Sequence, residues 1–222
     1  MVADLRIKGK SYGPHAFLVD MRVNGQLVKG IHLEDMGRKT IANDLDNASI
    51  EFRDFVVAKS TLLSRFADVR GHEYVQTTQE KMRIEVIGQR LLTGRVVVAQ
   101  WALTFCQRLF AETKRYAAAK KCWMPGGETS LASLPHIAAM FSEAERTTAR
   151  LSKFIEVVQA QLSQCLVKKT IPPPELVEAI AIAKIFVVDT SLGLCFRLKQ
   201  EVGSYALMEG TGFEHIGGFS AG

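Results

Sequence analysis

Two carboxylates near the end of the chain, Glu209 and Glu214, flank a turn that contains Gly210 and Gly212, and either has the chemistry of a base. Read alone, the turn is a helix C-cap with one of the glycines in the left-handed conformation. The cationic candidates are spread along the chain. Arg95 alone reads as a surface or interhelical salt-bridge arginine, and Arg115 and Lys121 as solvated helix charges. Cys106, Cys122, Cys165 and Cys195 lie far apart with no CxxC pair, which suits small buried hydrophobes in a reducing compartment. The five histidines show no HExxH spacing, and His72-Glu73 alone is no metal site, so no metal is expected.

Bulk properties narrow the class further. The chain has 222 residues, enough for one large domain or two modest ones with a real core. Hydrophobic content of 47% and charged content of 23% are those of an ordinary globular protein. A net charge of +5 is spread among acids, which favours solvated helix surfaces over a nucleic-acid-binding stripe. No uninterrupted apolar run of about eighteen residues argues for a spanning helix. The start, MVADLRIKGK, lacks the apolar core of a signal peptide, and the last residues carry no peroxisomal tripeptide or lipidation signal.

The elements that must carry these residues divide into two halves. From residue 5 to about 57, short β-rich runs are separated by turn residues. Residues 16–23 (AFLVDMRV) predict a strand, Asn24-Gly25 a two-residue hairpin turn, residues 26–33 the return, and residues 48–57 (ASIEFRDFVV) another strand. Asp35-Met36-Gly37 and residues 43–47 (NDLDN) supply loop chemistry. From residue 77 onward the pattern is helical. Three long helices are predicted, at about 78–121, 131–167 and 175–208, broken by Pro125-Gly126-Gly127 and by Pro172-Pro173-Pro174. Residues 179–188 (AIAIAKIFVV) are apolar on nearly every face and are expected to be buried. Three such helices bury one another poorly, so a fourth helix or a partner subunit is expected.

Several segments, taken in order, resemble the acyl-CoA oxidase and acyl-CoA dehydrogenase superfamily, most closely the oxidases. The strand YGPHAFLVDMRV (12–23), Gly30-Ile31, the loop Asp35-Met36-Gly37 with Arg38 and Lys39, Asp46-Asn47, Phe52 and LLSRFADV (62–69) are similar to the oxidase middle β-domain. RLLTGRV (90–96) resembles the opening of the first long helix of the C-terminal domain. ETKRYAAAKKCW (112–123) resembles a Y-x-x-x-R-x-x-F-G signature, and EGTGF (209–213) a glycine turn that usually reads GG-x-G followed by an aromatic. The resemblance implies an α+β fold: a partial antiparallel β-domain at 1–74, then a mostly antiparallel helical bundle of the acyl-CoA dehydrogenase C-terminal type at 75–222.

Site roles follow from the same resemblance. Arg95 corresponds to an arginine on the acyl-CoA side of the active site. Lys120 stands where the family's arginine holds the FAD pyrophosphate of the neighbouring subunit, and Trp123 where an aromatic packs near the flavin. Lysine keeps the charge but loses the bidentate fork, and Met124 replaces a glycine; Arg115 or Lys121 would compensate. Gly210 and Gly212 would let backbone approach the adenosine end of the cofactor across a dimer interface. Gly94 stands where some dehydrogenases carry the catalytic glutamate immediately before the arginine, and glycine takes no proton. By position, Glu209 and Glu214 are not the base either; the family's usual carboxylate is expected beyond Gly222.

The implied reaction is α,β-desaturation of a fatty acyl-CoA to the trans-2-enoyl-CoA, in fatty acid β-oxidation. A desolvated glutamate removes the α-proton and flavin takes the β-hydride. In an oxidase the electrons then pass to oxygen; in a dehydrogenase, the alternative, they pass to a protein acceptor. The chain reads as the middle-to-C-terminal part of such an enzyme, inactive by itself and homodimeric or homo-oligomeric in its parent. The resemblance implies a peroxisomal address, with a mitochondrial one as the alternative. A non-catalytic remnant that keeps the bundle for dimerisation is the reading from a different class.

Overall fold

A computed structural model describes residues 1–39, 43–65, 67–77, 83–208, 210, 211 and 213. It has three long helices and small antiparallel ribbons, a mixed α+β architecture. The chain divides into two compact units, 1–87 and 88–221.

The first unit is built from two-stranded antiparallel ribbons. β1 (Val2–Ile7) pairs with β2 (Lys10–Ala16) around a turn in which Lys8 and Gly9 both have positive φ. The Asp4 carboxylate braces this ribbon, accepting hydrogen bonds from the Ser11 hydroxyl at 2.6 Å and the Gly13 amide at 3.1 Å. β3 (Arg22–Val23) and β4 (Gln26–Leu27) flank Asn24-Gly25, whose φ values of 51° and 79° make the expected hairpin turn. β5 (Ile31–Asp35) pairs with β6 (Ala48–Phe52), and β7 (Ala67–Arg70) with β8 (Glu73–Gln76).

These strands are shorter than their sequence suggests, because pairing ends where neighbours or backbone geometry give out. In the run 16–23, Ala16 ends β2, Phe17 makes a lone bridge to Leu62, and only Arg22–Val23 is paired again. The return strand stops at Leu27 because Gly30, with φ 91°, turns the chain before β5. A Cβ at Gly30 would lie 2.7 Å from the Arg53 carbonyl oxygen, so this close crossing admits only glycine. β6 ends at Phe52, just before Asp54 adopts a left-handed φ of 47°. In the loop after β5, Lys39 serves a structural end: its ammonium donates to the Leu45 carbonyl and the Asn47 side chain.

The second unit is a helical bundle of α1 (Arg83–Ala119), α2 (Pro135–Lys168) and α3 (Pro174–Val202). Pro135 and Pro174 occupy first-turn positions, where the missing N–H costs nothing. Lys169, in the left-handed conformation, ends α2 by donating its amide to the Cys165 and Leu166 carbonyls. Each helix buries one stripe at helical spacing; on α2 this runs Ile137, Phe141, Ala144, Thr148, Leu151, Ile155, Val158 and Leu162. One large cluster joins Leu103, Ile155 and Ile180, and a second joins Leu109, Ile137, Phe141 and Leu198. Between α1 and α2, β9 (Lys121–Met124) and β10 (Gly127–Ser130) form a hairpin around Pro125-Gly126, where the sequence announced only a break.

Two expectations for α3 change. It ends at Val202, capped by Gly203 at φ 69°, so the Gly210 turn is not its cap. Within residues 179–188, Ile180, Ala183 and Val187 are buried, but Ile185 is 67% and Phe186 55% exposed. Three helices bury one stripe apiece, and no described element covers the outer stripe of α3. The segment Pro174–Leu207 is also long and apolar enough to cross a membrane, with a window of mean hydropathy 1.9. Lys184 and Asp189 interrupt its apolar run, and its inner stripe packs in the bundle core.

Candidate functional site

The structure assembles one candidate site at the end of the bundle where α1 finishes. Lys120 is the first residue beyond α1, its amide donating to the Tyr116 carbonyl at 2.8 Å. Its own carbonyl accepts from the Leu131 amide at 2.9 Å, which fastens the base of the β9–β10 hairpin. Trp123 rides on that hairpin with 80% of its surface exposed. Lys120 and Lys121 are both exposed, so two ammonium groups and an indole stand at the same bundle end. Arg115, one turn back, is already paired with Glu112 on the same helix.

The turn after α3 reaches the same place. A 3-10 turn at Gly203–Leu207 presents Tyr205, which stacks on Tyr116 with ring centroids 5.0 Å apart. Phe213 meets both rings edge-on, at 6.1 Å from Tyr116 and 6.4 Å from Tyr205, and is itself buried with Leu109, Ala117 and Leu198. Gly210 has φ 77°, a conformation that favours glycine. The Thr211 hydroxyl donates to the Met208 carbonyl at 2.9 Å and steadies this turn. The segment 112–123 and the glycine turn, far apart in sequence, therefore meet through three aromatic rings. Gly212, Glu209 and Glu214 lie outside the described residues.

Tyr116 is the tyrosine of the signature that 112–123 resembles, but sequence reasoning missed its partner Tyr205, because the contact joins elements separated by two helices. Arg95 is not part of this cluster. From residue 95 to residue 120 a helix rises about 37 Å, so Arg95 belongs to the N-terminal half of α1, away from this site. It is exposed, and it forms no ion pair with any described side chain. Among the described residues, no group of three His, Cys, Asp or Glu side chains could hold a metal ion.

No family model matches the chain. It is 30% identical over 141 residues to an acyl-coenzyme A oxidase of Saccharomyces cerevisiae, a match over 60% of this chain and 19% of the relative. With an acyl-coenzyme A oxidase of Candida glabrata it shares 32% identity over 124 residues, covering 54% and 17% of the two chains. The solved acyl-CoA oxidase 1 of Yarrowia lipolytica superposes with a TM-score of 0.70 at 20% identity, over 97% of this chain and 34% of that one. An acyl-CoA dehydrogenase of Geobacillus kaustophilus gives 0.63 at 16% identity, over 92% and 46%. Acyl-CoA oxidase-1 of Caenorhabditis elegans, complexed with FAD and ATP, gives 0.55 at 21% identity, over 99% and 34%.

The fold is like that of these solved acyl-CoA oxidases and acyl-CoA dehydrogenase. In sequence the chain is similar to a part of acyl-CoA oxidases, and it spans about a fifth of the length of the curated relatives it matches.

Proposed function

We propose that this chain is the middle-to-C-terminal portion of an FAD-dependent acyl-CoA oxidase that desaturates fatty acyl-CoA and passes the electrons to oxygen. The observation that carries the reading is the meeting of the segment 112–123 with the glycine turn through Tyr116, Tyr205 and Phe213. Both segments were assigned to one cofactor by independent stretches of resemblance, and in the folded chain they are neighbours.

The donors at this bundle end fit the cofactor. A pyrophosphate is an anion, and Lys120 and Lys121 are exposed cations on a braced backbone. Trp123 offers an uncovered ring for a flat heterocycle. Gly210, at a φ of 77°, has no heavy atom within 4 Å of where a Cβ would stand. In this reading Lys120 and Lys121 hold the pyrophosphate of a neighbouring subunit's FAD, with Arg115 available once released from Glu112. Trp123 packs near the flavin, and Gly210 with Gly212 admits the adenosine end. FAD, when bound, supplies the acceptor for the β-hydride.

Arg95, about 37 Å away along α1, serves the acyl-CoA side of a different active centre. That separation agrees with one helix contributing to two sites across a dimer. Residues 1–74 would be the end of the middle β-domain and 75–222 the C-terminal bundle, in a peroxisomal homo-oligomer. The base is assigned to a carboxylate beyond Gly222. The test is flavin retention by the full protein carrying Lys120→Ala. A clear fall in bound FAD supports the reading, and unchanged flavin content overturns the assignment of this bundle end.

A further inference from the structure

Between its two large apolar clusters the bundle holds a small third cluster, and two of the side chains there are thiols. Cys106 of α1 is fully buried beside Ala144 of α2 and Leu194 of α3, and Cys195 of α3 packs against the same cluster while keeping part of its surface exposed. Ala144 is the α2 side chain in this cluster, and Phe110 of α1 packs against it as well. All four cysteines are free thiols, but Cys122 on β9 and Cys165 near the end of α2 are not in this cluster.

The two sulfurs are unequal. The Cys106 thiol beside it holds the Cys195 thiol below its ordinary value; burial opposes this, and the Lys199 ammonium one turn along α3 lowers it further. Cys106 is pushed up, first by the Cys195 sulfur and then by burial. Cys195, with part of its surface exposed, has the access of an attacking sulfur, and Cys106 the shelter of a second thiol.

We infer that Cys106 and Cys195 form a peroxide-responsive dithiol, a site of oxidative modification that bridges α1 and α3. The Cys195 thiolate attacks one oxygen of hydrogen peroxide; the O–O bond breaks, Cys195 becomes a sulfenic acid, and the departing hydroxide is protonated to water. The Cys106 sulfur then attacks the Cys195 sulfur. The S–O bond breaks, the Cys106 proton leaves with the hydroxyl as a second water, and the disulfide forms. Two thiols are oxidised by two electrons in all, and one peroxide is reduced. A disulfide holds its two Cα atoms about 4.4–6.8 Å apart, so the reaction cinches α1 to α3 at this cluster. An acyl-CoA oxidase would make the peroxide itself, and in that respect the source rests on the reading above. The thiol chemistry does not, and added peroxide examines it separately.

The experiment uses the full protein, fully reduced and then treated with graded hydrogen peroxide. Remaining thiols are alkylated with N-ethylmaleimide under denaturing conditions, and the peptides are mapped by mass. The expected result is a linked peptide pair joining Cys106 to Cys195, with alkylation lost at both, retained at Cys122 and Cys165, and restored by dithiothreitol. In Cys106→Ser, a sulfenic-acid probe (dimedone) should label Cys195. Alkylation of Cys106 and Cys195 at untreated levels would overturn the inference, as would a linkage to Cys122 or Cys165. The mapping is done on the unmutated protein, so it stands whether or not the variant folds. Absence of acyl-CoA-dependent peroxide would count against the oxidase reading and leave this result untouched.

Discussion

Lys120 stands where α1 gives out, its amide tied to Tyr116 and its carbonyl to Leu131, so its ammonium leaves from a fixed point of the backbone. A lysine there is a point charge, where the resemblance has an arginine with a bidentate fork. A hydrogen bond to a charged group contributes about 1.5–3 kcal/mol. Lys120→Ala should therefore weaken FAD binding by roughly ten- to a hundred-fold in the full protein, read as flavin absorbance per protomer after gel filtration. Lys120→Arg should bind FAD at least as well as the natural residue. Arg95 predicts a different pattern, because it is remote from that cluster. Arg95→Ala should raise KM for acyl-CoA by roughly tenfold while flavin content stays the same, measured by steady-state kinetics alongside absorbance. Loss of flavin in that variant would contradict the separation of the two sites along α1.

At the scale of elements, the turns and helix stripes determine which changes the fold tolerates. Gly30 combines a φ of 91° with a crossing against the Arg53 carbonyl. Gly30→Ala should destabilise the first unit by about 1–3 kcal/mol, seen as an earlier unfolding transition in a thermal melt. Ile180, fully buried between α1 and α2, has no room to be replaced by a smaller residue without a cavity. Ile180→Ala should cost the bundle about 2–5 kcal/mol, measured by chemical denaturation. The α2–α3 pair Glu143–Arg197, with two hydrogen bonds at 3.1 and 3.0 Å, gives a pH dependence. Arg197 holds the Glu143 carboxyl below its ordinary value of 4.5, so the pair supports folding above that value. That support is lost as pH falls through the lower folded value. Glu143→Gln should flatten the acid limb of a helix-content titration below about pH 5.

The same scale explains what the sequence made readable. Asn24-Gly25 and the two proline-bearing breaks were legible because each depends on backbone chemistry within a few residues. The three helices were legible from their buried stripes, which repeat at helical spacing over many turns. The β9–β10 hairpin was not, because Pro125-Gly126-Gly127 reads equally well as a loop. Strands in the run 16–23 were overextended because strand length depends on a partner such as Leu62, which lies far along the chain. At the site, Lys120, Trp123 and Gly210 were named from resemblance, but the Tyr116–Tyr205–Phe213 contact that gathers them is long-range and leaves no local pattern.

Across the molecule, the bundle is an open structure. The outer stripe of α3 leaves Ile185, Phe186 and Phe196 uncovered, and α1 leaves Trp101 63% exposed. Apolar surface of this extent suits a domain that packs against further chain or another copy. The chain covers about a third of the solved acyl-CoA oxidases it resembles, so the full protein is the object to assay. The most direct measurement is to purify that protein from its source and follow its visible spectrum on adding a fatty acyl-CoA under air, with peroxide measured in parallel. The account predicts a yellow protein whose flavin bands bleach with acyl-CoA and recover as peroxide appears. A protein with no bound flavin, whose spectrum no acyl-CoA alters and which forms no peroxide, would contradict it.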